Sequence, residues 1–460
     1  MTTPTSETAA QAPHSGPESP ATSLPLPVLD QPEASAVEYE RFLDCVHCGL
    51  CTSSCPTYLE LGTEMDSPRG RIHLMRAVTD GRLPLDNDVK RHLDLCLDCR
   101  SCETACPSGV QYGRIIEPFR LAMEKQSPAP KSRDWFHRWI LFGILADATR
   151  TRWALAPVRL MQWLGLDRLL DRSGLVRFLP GKLQRMHRML PRLEPRGPEL
   201  PERLAAIGPK RATVALSTGC VADAVFHHVH WATIRVLREN GCDVLIPRSQ
   251  TCCGAIHFHA GAEEPAIERA KTNLAAFPLE ELDAVIVNVA GCGAMLKEYG
   301  HLPVNAATKE RLQLFASKVR DIHEFLVDLG PIAPKGELNW RVAYHDACHL
   351  CHAQKITEQP RELLRLIPGL ELVAHEEPTI CCGAAGSYNL VEAEMAERLV
   401  ARKADHLLAV EPDAIAIPNA GCLLHMGRRI REEVDGEHAA PWMGHPIELL
   451  DRSYQASSSP

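Results

Sequence analysis

The first 40 residues contain no Lys or Arg and no apolar stretch. The chain therefore lacks the basic and then apolar pattern of a secretory signal segment, and we expect it to stay in the cytoplasm. It also lacks an excess of positive charge, because its formal net charge at pH 7 is −8. Nucleic-acid binding depends on clustered Lys and Arg that neutralise phosphates, so no nucleic-acid partner is expected.

Long apolar runs are missing as well. In the Trp-rich stretch from 133 to 196, the apolar core WILFGILA has eight residues, 139–146, whereas a membrane-spanning helix needs about 20. The same stretch carries thirteen Arg and Lys against five Asp and Glu. Two interpretations stay open: a basic helical surface that lies on the inner face of the cell membrane or on an acidic partner, and a helical linker that packs on its own domains.

Cysteine, in contrast, is abundant, with 18 residues in a chain of 460. This length allows about three domains of ordinary size, and the contents of 45% hydrophobic and 23% charged residues are those of a globular protein. In the cytoplasm, clustered cysteines are more often metal ligands or redox groups than disulfides.

Two cysteine runs, CVHCGLCTSSCP at 45–56 and CLDCRSCETACP at 96–107, share the spacing C-x2-C-x2-C-x3-C-P. This is the bacterial ferredoxin pattern for 4Fe-4S clusters, in which the fourth cysteine of each run ligates the other cluster. Zinc is the alternative, although zinc sites usually hold two separated C-x2-C pairs. The predicted ligands of the first cluster are Cys45, Cys48, Cys51 and Cys106. The predicted ligands of the second cluster are Cys55, Cys96, Cys99 and Cys102.

The C-terminal half contains an internal repeat. Each copy has a single cysteine, then an adjacent pair in TCCGA or ICCGAAG, and then a cysteine after AG. The intervening lengths are 31 and 38 residues in the first copy, and 32 and 39 in the second. The cysteines concerned are Cys220, Cys252, Cys253 and Cys292, and Cys348, Cys381, Cys382 and Cys422. The two copies are therefore duplicated domains that meet near 330.

Short apolar runs such as TVALS and AVIVNV alternate with helical patterns in each copy. This alternation predicts an α/β sheet with buried parallel strands. Each cysteine follows a predicted strand, and because the carboxyl ends of parallel strands share one edge, we expect the four cysteines of each copy to converge there. The resulting group is interpreted as a metal or iron-sulfur centre, a dithiol redox pair or structural residues.

Histidines near these cysteines are candidates to ligate or tune a centre, or to serve as hydrogen-bonded structural residues. They are His257, His259, His345, His349 and His352. Cys242 has no counterpart in the other copy and is expected to be a core residue.

The predicted domain organisation follows from these patterns. Residues 1–36 contain seven prolines and few large apolar residues, a composition typical of a disordered tail. The later boundaries give a 2×(4Fe-4S) domain over 37–125, a basic helical linker over 126–208, cysteine-rich domains over 209–330 and 331–452, and a tail over 453–460.

The order of two CxxCxxCxxxCP motifs, SPRGRI at 67–72, two CCG repeats and HxACHLxHAQKI at 345–356 resembles the iron-sulfur subunit of bacterial glycolate oxidase. The resemblance covers about 37–452. The same combination of domains occurs in the iron-sulfur subunits of anaerobic glycerol-3-phosphate dehydrogenase and in heterodisulfide reductase subunits. The fold implied is α/β overall, with an N-terminal α-helical dicluster ferredoxin-like domain followed by two duplicated α/β CCG domains.

The resemblance implies a subunit of an oxidoreductase complex, with two 4Fe-4S clusters and a further iron-sulfur or metal centre in the CCG domains. Its partners would be FAD-binding subunits that oxidise glycolate, or D-lactate, and a quinone or other electron acceptor. The chain contains no G-x-G-x-x-G motif, which agrees with a flavin held on another subunit. No catalytic residue is therefore expected in this chain.

One departure concerns the CCG repeats. In heterodisulfide reductases of this family the repeat that binds a non-cubane cluster ends in C-x2-C, whereas this chain has Met295 and His425 at the matching positions. Disulfide-reductase chemistry is therefore disfavoured. Two more interpretations stay open: an iron-sulfur subunit of a lactate or glycerol-3-phosphate dehydrogenase, and a metal-stabilised scaffold.

Overall fold

The computed structural model describes residues 37–126, 134–167, 173–194, 197–434 and 440–458. The predicted disordered tail over 1–36 lies outside the described residues.

The N-terminal domain is built from helices packed on one core, which includes Phe42, Met75, Leu93 and Ile116. Helix starts are capped: Ser67 accepts a hydrogen bond from the Gly70 amide and Asp86 accepts one from the Val89 amide. The α-helices are Glu40–Leu43, Pro56–Leu61, Pro68–Thr79, Asn87–Asp94, Ser101–Thr104 and Gly113–Gln126, with 3₁₀ turns at Thr52–Ser54 and Glu64–Asp66.

The basic segment that follows is helical where the structure describes it. Its elements are a π-helix at Phe136–Leu145, α-helices at Ala148–Trp163 and Gly181–Met189, and a 3₁₀ turn at Leu175–Phe178. Phe136 and Leu141 are buried, whereas Trp139, Trp153 and Trp163 are exposed. The helices of the described residues are all too short or too polar to cross a membrane.

The first CCG repeat contains a five-stranded sheet in the order β1-β3-β2-β4-β5. Its strands are β1 Arg203–Leu204, β2 Ala212–Ser217, β3 Cys242–Leu245, β4 Ala284–Val287 and β5 Val319–Asp321. Strands β2 to β5 are parallel, with Val214 of β2 opposite Ala284 of β4. Strand β1 comes from the region interpreted as linker and pairs antiparallel with β3.

The second repeat contains a four-stranded parallel sheet in the order β7-β6-β8-β9. Its strands are β6 Arg341–Tyr344, β7 Glu371–Val373, β8 Ala414–Ala416 and β9 Trp442–Gly444. Val342 of β6 lies opposite Ala414 of β8. The two sheets therefore share one topology, apart from the added edge strand β1.

Helices cover both sheets, as the continuous apolar strands require. In the first repeat the α-helices are Val221–Val225, His227–Glu239, Ala255–His259, Glu263–Ala276, Ala290–Lys297, Ala306–Lys318 and Ile322–Leu329, with 3₁₀ turns at Leu279–Glu281 and Tyr299–His301. In the second they are Gln359–Arg365, Tyr388–Val391, Ala393–Leu408, Ala420–Glu433 and Pro446–Ser458, with a π turn at His349–Ala353. The predicted fold class is confirmed: a helical N-terminal domain precedes two duplicated α/β repeats.

The last helix corrects one prediction. The sequence predicts a tail from 453, whereas the helix continues to Ser458. Ser453 donates a hydrogen bond to the Gly336 carbonyl, 2.6 Å, and Tyr454 Oη accepts one from Asn240, 3.1 Å. These contacts with the preceding segment and with the first repeat order the residues of the expected tail.

The cysteine-bearing ends of the two repeats contact each other. The Ala290 amide donates to the Pro418 carbonyl, 3.2 Å, and Gln354 Nε2 donates to the Ala290 carbonyl, 2.9 Å. The ferredoxin-like domain is joined to both repeats, through Arg100 and Glu298 at 3.4 Å and through Arg402 and Glu60 at 3.2 Å.

Candidate iron-sulfur sites

Four cysteines near the N-terminus surround one small cavity, which we call ferredoxin site 1. They are Cys45, Cys48, Cys51 and Cys106. Cys48 is exposed and the other three are half-buried. Burial raises the pKa of the Cys51 thiol to about 11, so iron, which binds thiolates, would have to displace its proton.

A second set of four cysteines surrounds a neighbouring cavity, ferredoxin site 2. They are Cys55, Cys96, Cys99 and Cys102, and all four are buried. Hydrogen-bond donors surround their sulfurs: the Asp98 amide lies 3.4 Å and Tyr112 Oη 3.7 Å from Cys96 Sγ. Such donors stabilise thiolates, so these residues fit an iron-sulfur cluster.

The fourth cysteine of each motif lies in the other motif's site. Cys55 joins the cysteines from 96–102, and Cys106 joins those from 45–51. This is the grouping that the spacing predicts. The assignment of these thiols as ligands remains a prediction.

Both motif loops adopt the same unusual backbone. His47 and Gly49 in the first loop have φ of 53° and 86°, and Asp98 and Arg100 at the matching positions have φ of 52° and 62°. A left-handed conformation costs a non-glycine residue roughly 1–2 kcal/mol. Arg100 therefore carries strain at a position where the first loop has glycine.

Arg100 makes buried charge contacts that offset this backbone strain. Arg100 is 6% exposed, and its guanidinium lies 3.0 Å from Asp98, 2.7 Å from Glu117 and 3.4 Å from Glu298. The imidazole of His259 lies 3.7 Å from both Asp98 and Glu117. Arg100 thus joins the loop of ferredoxin site 2 to the first repeat.

A second buried arginine, Arg71, belongs to the SPRGRI motif. It is 1% exposed, and its Nη1 lies 3.9 Å from Cys55 Sγ. Burial alone would lower its pKa, but the acidic groups around it, which include the Cys96 and Cys55 thiols and the Asp66 carboxyl, hold the pKa above its usual range. Ferredoxin site 2 therefore has a permanent positive charge beside it.

The first repeat brings its four cysteines together at the carboxyl edge of its sheet, which we call CCG site 1. Cys220 Sγ lies 3.3 Å from Cys252 Sγ. Hydrogen bonds from Cys220 and Cys253 hold the pKa of Cys252 well below its usual value. Hydrogen bonding to Cys252 and Cys292 raises the pKa of Cys253, so all four thiols belong to one group.

The second repeat forms CCG site 2 in the same way. Hydrogen bonding to Cys381 lowers the pKa of Cys348, and bonds from Cys381 and Cys422 lower that of Cys382. Asn419 Nδ2 donates to Cys422 Sγ at 3.2 Å. A ring nitrogen of His345 and the sulfurs of Cys382 and Cys422 all lie within 4.8 Å of one another.

The glycine of each CCG motif has a defined role. Gly254 and Gly383 have φ of 88° and 85°, which side chains disfavour. A Cβ on Gly383 would lie 2.9 Å from the Ala396 carbonyl oxygen. Their amides point at the first cysteine of each pair, 3.4 Å from Cys252 Sγ and 3.5 Å from Cys381 Sγ.

The other candidate histidines lie around these sites in different roles. His257 stacks on Phe142 with ring centroids 4.7 Å apart. His349 lies 3.9 Å from Cys348 Sγ and 5.9 Å, ring to ring, from His259. His352 is held by Thr104 and the Thr379 carbonyl.

Two extra cysteines stay apart from these groups. Cys242, at the start of β3, is fully buried, and burial raises its pKa to about 11. Cys351 is buried, and its Sγ lies 3.8 Å from the Cys348 carbonyl. Both are core residues.

Sequence reasoning did not find Arg71, Arg100 or Asn419 as site residues. SPRGRI contributed to the resemblance, but its helical pattern gave no sign that Arg71 turns inward. Arg100 stands where the first motif loop has Gly49, and this difference between the two motifs could have pointed to Arg100 from the sequence alone.

Comparison with known proteins places these sites in a family context. Residues 41–110 match the 4Fe-4S dicluster domain, 214–297 and 342–427 match the cysteine-rich domain, and 133–190 match the linker region of the glycolate oxidase iron-sulfur subunit. The "Probable glycolate oxidase iron-sulfur subunit" of Bacillus subtilis (strain 168) is 39% identical over 400 residues, 85% of this chain and 90% of that protein. The "Glycolate oxidase iron-sulfur subunit" of Escherichia coli (strain K12) is 33% identical over 437 residues, 92% of this chain and 97% of that protein.

The chain belongs to the family of glycolate oxidase iron-sulfur subunits. Membership confirms an iron-sulfur electron-transfer subunit of a multi-subunit oxidoreductase complex, with a 4Fe-4S dicluster domain. A crystal structure of a hypothetical protein from Helicobacter pylori has a TM-score of 0.50 at 8% identity and covers 84% of this chain and 68% of that chain. That likeness concerns the fold alone.

Proposed function

We propose that the chain carries electrons within a glycolate-oxidising complex. FAD-binding subunits would take electrons from glycolate, or from D-lactate, and a quinone or another acceptor would receive them. The names of the two relatives support the substrate. The observation that carries the electron-transfer role is the pair of adjoining four-cysteine sites.

In this proposal each ferredoxin site holds one 4Fe-4S cluster. Ferredoxin site 1 uses Cys45, Cys48, Cys51 and Cys106. Ferredoxin site 2 uses Cys55, Cys96, Cys99 and Cys102. The clusters supply one-electron redox chemistry, while the protein supplies thiolates, amide donors and the Arg71 charge.

The placement of the sites suggests an order of electron movement. At ferredoxin site 1, Val46 is 67% and Leu50 59% exposed, beside the exposed Cys48. An exposed apolar rim beside a redox group suits brief docking of a redox partner, so we assign the flavoprotein to this face. On the side of the domain that meets the second repeat, Cys99 of ferredoxin site 2 and Cys348 of CCG site 2 lie in one buried cluster. Electrons would therefore move from ferredoxin site 1 to ferredoxin site 2 and then towards CCG site 2.

The exposed tryptophans of the linker support a second contact. Trp153 is 75%, Trp163 80% and Phe178 88% exposed, in a stretch with thirteen basic and five acidic residues. Aromatic side chains among basic ones suit an anionic bilayer surface. The proposal commits this face to the membrane, where a quinone would be available.

Vesicle sedimentation tests the membrane contact. Full-length protein should pellet with phosphatidylglycerol vesicles and less with phosphatidylcholine vesicles, and Trp153→Ala with Trp163→Ala should weaken pelleting several-fold. Leu314→Ala, an exposed residue outside the linker, is the control. Equal pelleting of all variants would remove the linker from the proposal.

The function is tested by anaerobic reconstitution with the co-expressed flavoprotein. Glycolate should reduce the clusters, seen as EPR signals, whereas glycerol 3-phosphate should not. A Leu50→Gln variant, which adds no charge beside the cluster, should slow this reduction without changing the signals that dithionite produces, because Leu50 lies on the proposed docking face and is not a predicted ligand. Reduction by glycerol 3-phosphate instead of glycolate would assign the chain to a different dehydrogenase.

A further inference from the structure

CCG site 2 contains a histidine whose ring is left without an ordinary hydrogen bond. His345 follows β6, and its amide donates to the Ala416 carbonyl at 3.0 Å, which fixes it at the sheet edge. The side chain is fully buried. Both of its ring nitrogens are buried and lack a hydrogen-bond partner within normal distance limits, and among the histidines that the structure describes it is the one for which this holds of both nitrogens. The polar groups beside the ring are the sulfurs of Cys382 and Cys422, which lie outside normal hydrogen-bond geometry.

A buried polar group without a partner is unfavourable. Folded proteins therefore rarely leave one, and an exception calls for an unseen partner. Here the neighbours identify that partner, because a ring nitrogen of His345 and the sulfurs of Cys382 and Cys422 lie within 4.8 Å of one another. Imidazole nitrogen and thiolate sulfur together are ligands for zinc or for iron in an iron-sulfur centre.

The first repeat offers an internal comparison. Ser217 occupies the position that corresponds to His345, because Val214 and Val342 hold the same place opposite β4 and β8. Cys220 and Cys348 then follow three residues later in both repeats. The nitrogen donor is therefore a property of CCG site 2 and not of the fold.

His425, which stands where related repeats have a last cysteine, does not take this role. Its Nε2 donates to the Ala396 carbonyl at 3.2 Å, and it is not part of the group formed by His345 and the two sulfurs. The last cysteine of the C-x2-C pattern is absent here, and His345, which follows β6, lies beside the other sulfurs instead.

We propose that His345 is a ligand of an iron-sulfur centre in CCG site 2, together with Cys348, Cys381, Cys382 and Cys422. The choice of iron rests on the proposed electron-transfer function, because Cys348 lies in the same buried cluster as Cys99 of ferredoxin site 2. The imidazole is neutral, so it would bring a fifth ligand to the four cysteines without adding negative charge.

The test uses full-length protein purified without oxygen, with histidine labelled by ¹⁵N. After reduction by dithionite, pulsed EPR should show a strong histidine nitrogen coupling that changes between ¹⁴N and ¹⁵N labelling. His345→Ser, which copies the first repeat, should abolish the coupling, and the matched control His425→Gln should retain it. His345→Cys should keep iron above the eight atoms per chain of two 4Fe-4S clusters while it loses the coupling.

Three outcomes would overturn the proposal: no histidine coupling in the unchanged protein, a coupling that survives in His345→Ser, or stoichiometric zinc in place of iron beyond the eight atoms of two 4Fe-4S clusters. The labelled, unchanged protein and His345→Cys keep the test valid if His345→Ser does not fold. Failure of glycolate to reduce the complex would reject the proposed function but leave these spectra unaffected, so the two failures are distinguishable.

Discussion

The buried charge of Arg71 should set the reduction potential of the cluster at ferredoxin site 2. Its Nη1 lies 3.9 Å from Cys55 Sγ. A charge roughly 7 Å from the middle of the cluster interacts with one added electron by about 2 kcal/mol at an effective dielectric constant of about 20. Asp66, 3.5 Å from the guanidinium, opposes this energy by about half, and its charge stays when Arg71 alone is replaced. Arg71→Gln removes the full contribution of Arg71, about 2 kcal/mol, and should therefore lower the potential by about 90 mV.

Potentiometric titration followed by EPR measures this shift. Arg71→Lys keeps the charge and should leave the potential within about 15 mV of the unchanged protein, by the same arithmetic. Arg71→Gln combined with Asp66→Asn removes both charges and should recover part of the shift, and the cluster at ferredoxin site 1 should shift less. A potential that stays constant or rises in Arg71→Gln, with iron content unchanged, would refute the electrostatic reasoning.

Three further changes test separate parts of the structure. Cys55→Ser should damage the cluster at ferredoxin site 2, whose other predicted ligands lie at 96–102, and should spare the cluster at ferredoxin site 1. Iron analysis and EPR measure which cluster is lost. Loss of the signal of ferredoxin site 1 would contradict the crossed arrangement. Arg100→Gly relieves roughly 1–2 kcal/mol of backbone strain, but it leaves buried carboxylates unpaired, which costs about 3–5 kcal/mol. Urea unfolding should therefore show a net loss of stability, and Glu117→Gln added to Arg100→Gly should restore part of it. A gain in stability for Arg100→Gly would contradict this. Burial raises the pKa of Glu448 to about 7, so the stability that comes from its bound proton is complete below pH of about 4.5 and is lost as pH rises through about 7. Glu448→Gln should therefore stabilise the protein at pH 8, by up to about 3 kcal/mol in thermal unfolding, and should have little effect at pH 5. The opposite pH trend would contradict the assignment.

The sequence predicted the architecture because its signals are local or periodic. The spacing in CVHCGLCTSSCP and CLDCRSCETACP specifies a loop, and the matched intervals around the CCG motifs specify a duplicated sheet edge. The antiparallel strand β1 escaped prediction, since Arg203–Leu204 is too short to show a pattern.

Charge and ligand details depended on long-range contacts. Arg100 meets Glu298 across 198 residues of chain, and no local pattern reports such a pair. His345 was one of five histidine candidates, and it is the one of the five whose two ring nitrogens are both buried and without a hydrogen-bond partner. The last helix was mistaken for a tail because the run SYQASSS is mostly polar, although Tyr454 within it contacts Asn240 of the first repeat.

The exchange of Cys55 and Cys106 between the two motif loops has a consequence for biogenesis. Neither four-cysteine site is complete until the polypeptide has been synthesised through the second motif, because ferredoxin site 1 needs Cys106 and ferredoxin site 2 needs Cys55. A scaffold that delivers iron and sulfide during translation would therefore meet half-built sites with three thiols each. With the predicted ligands, neither cluster would have its fourth thiol before the second motif is in place, and a chain truncated between the two motifs would retain neither complete site.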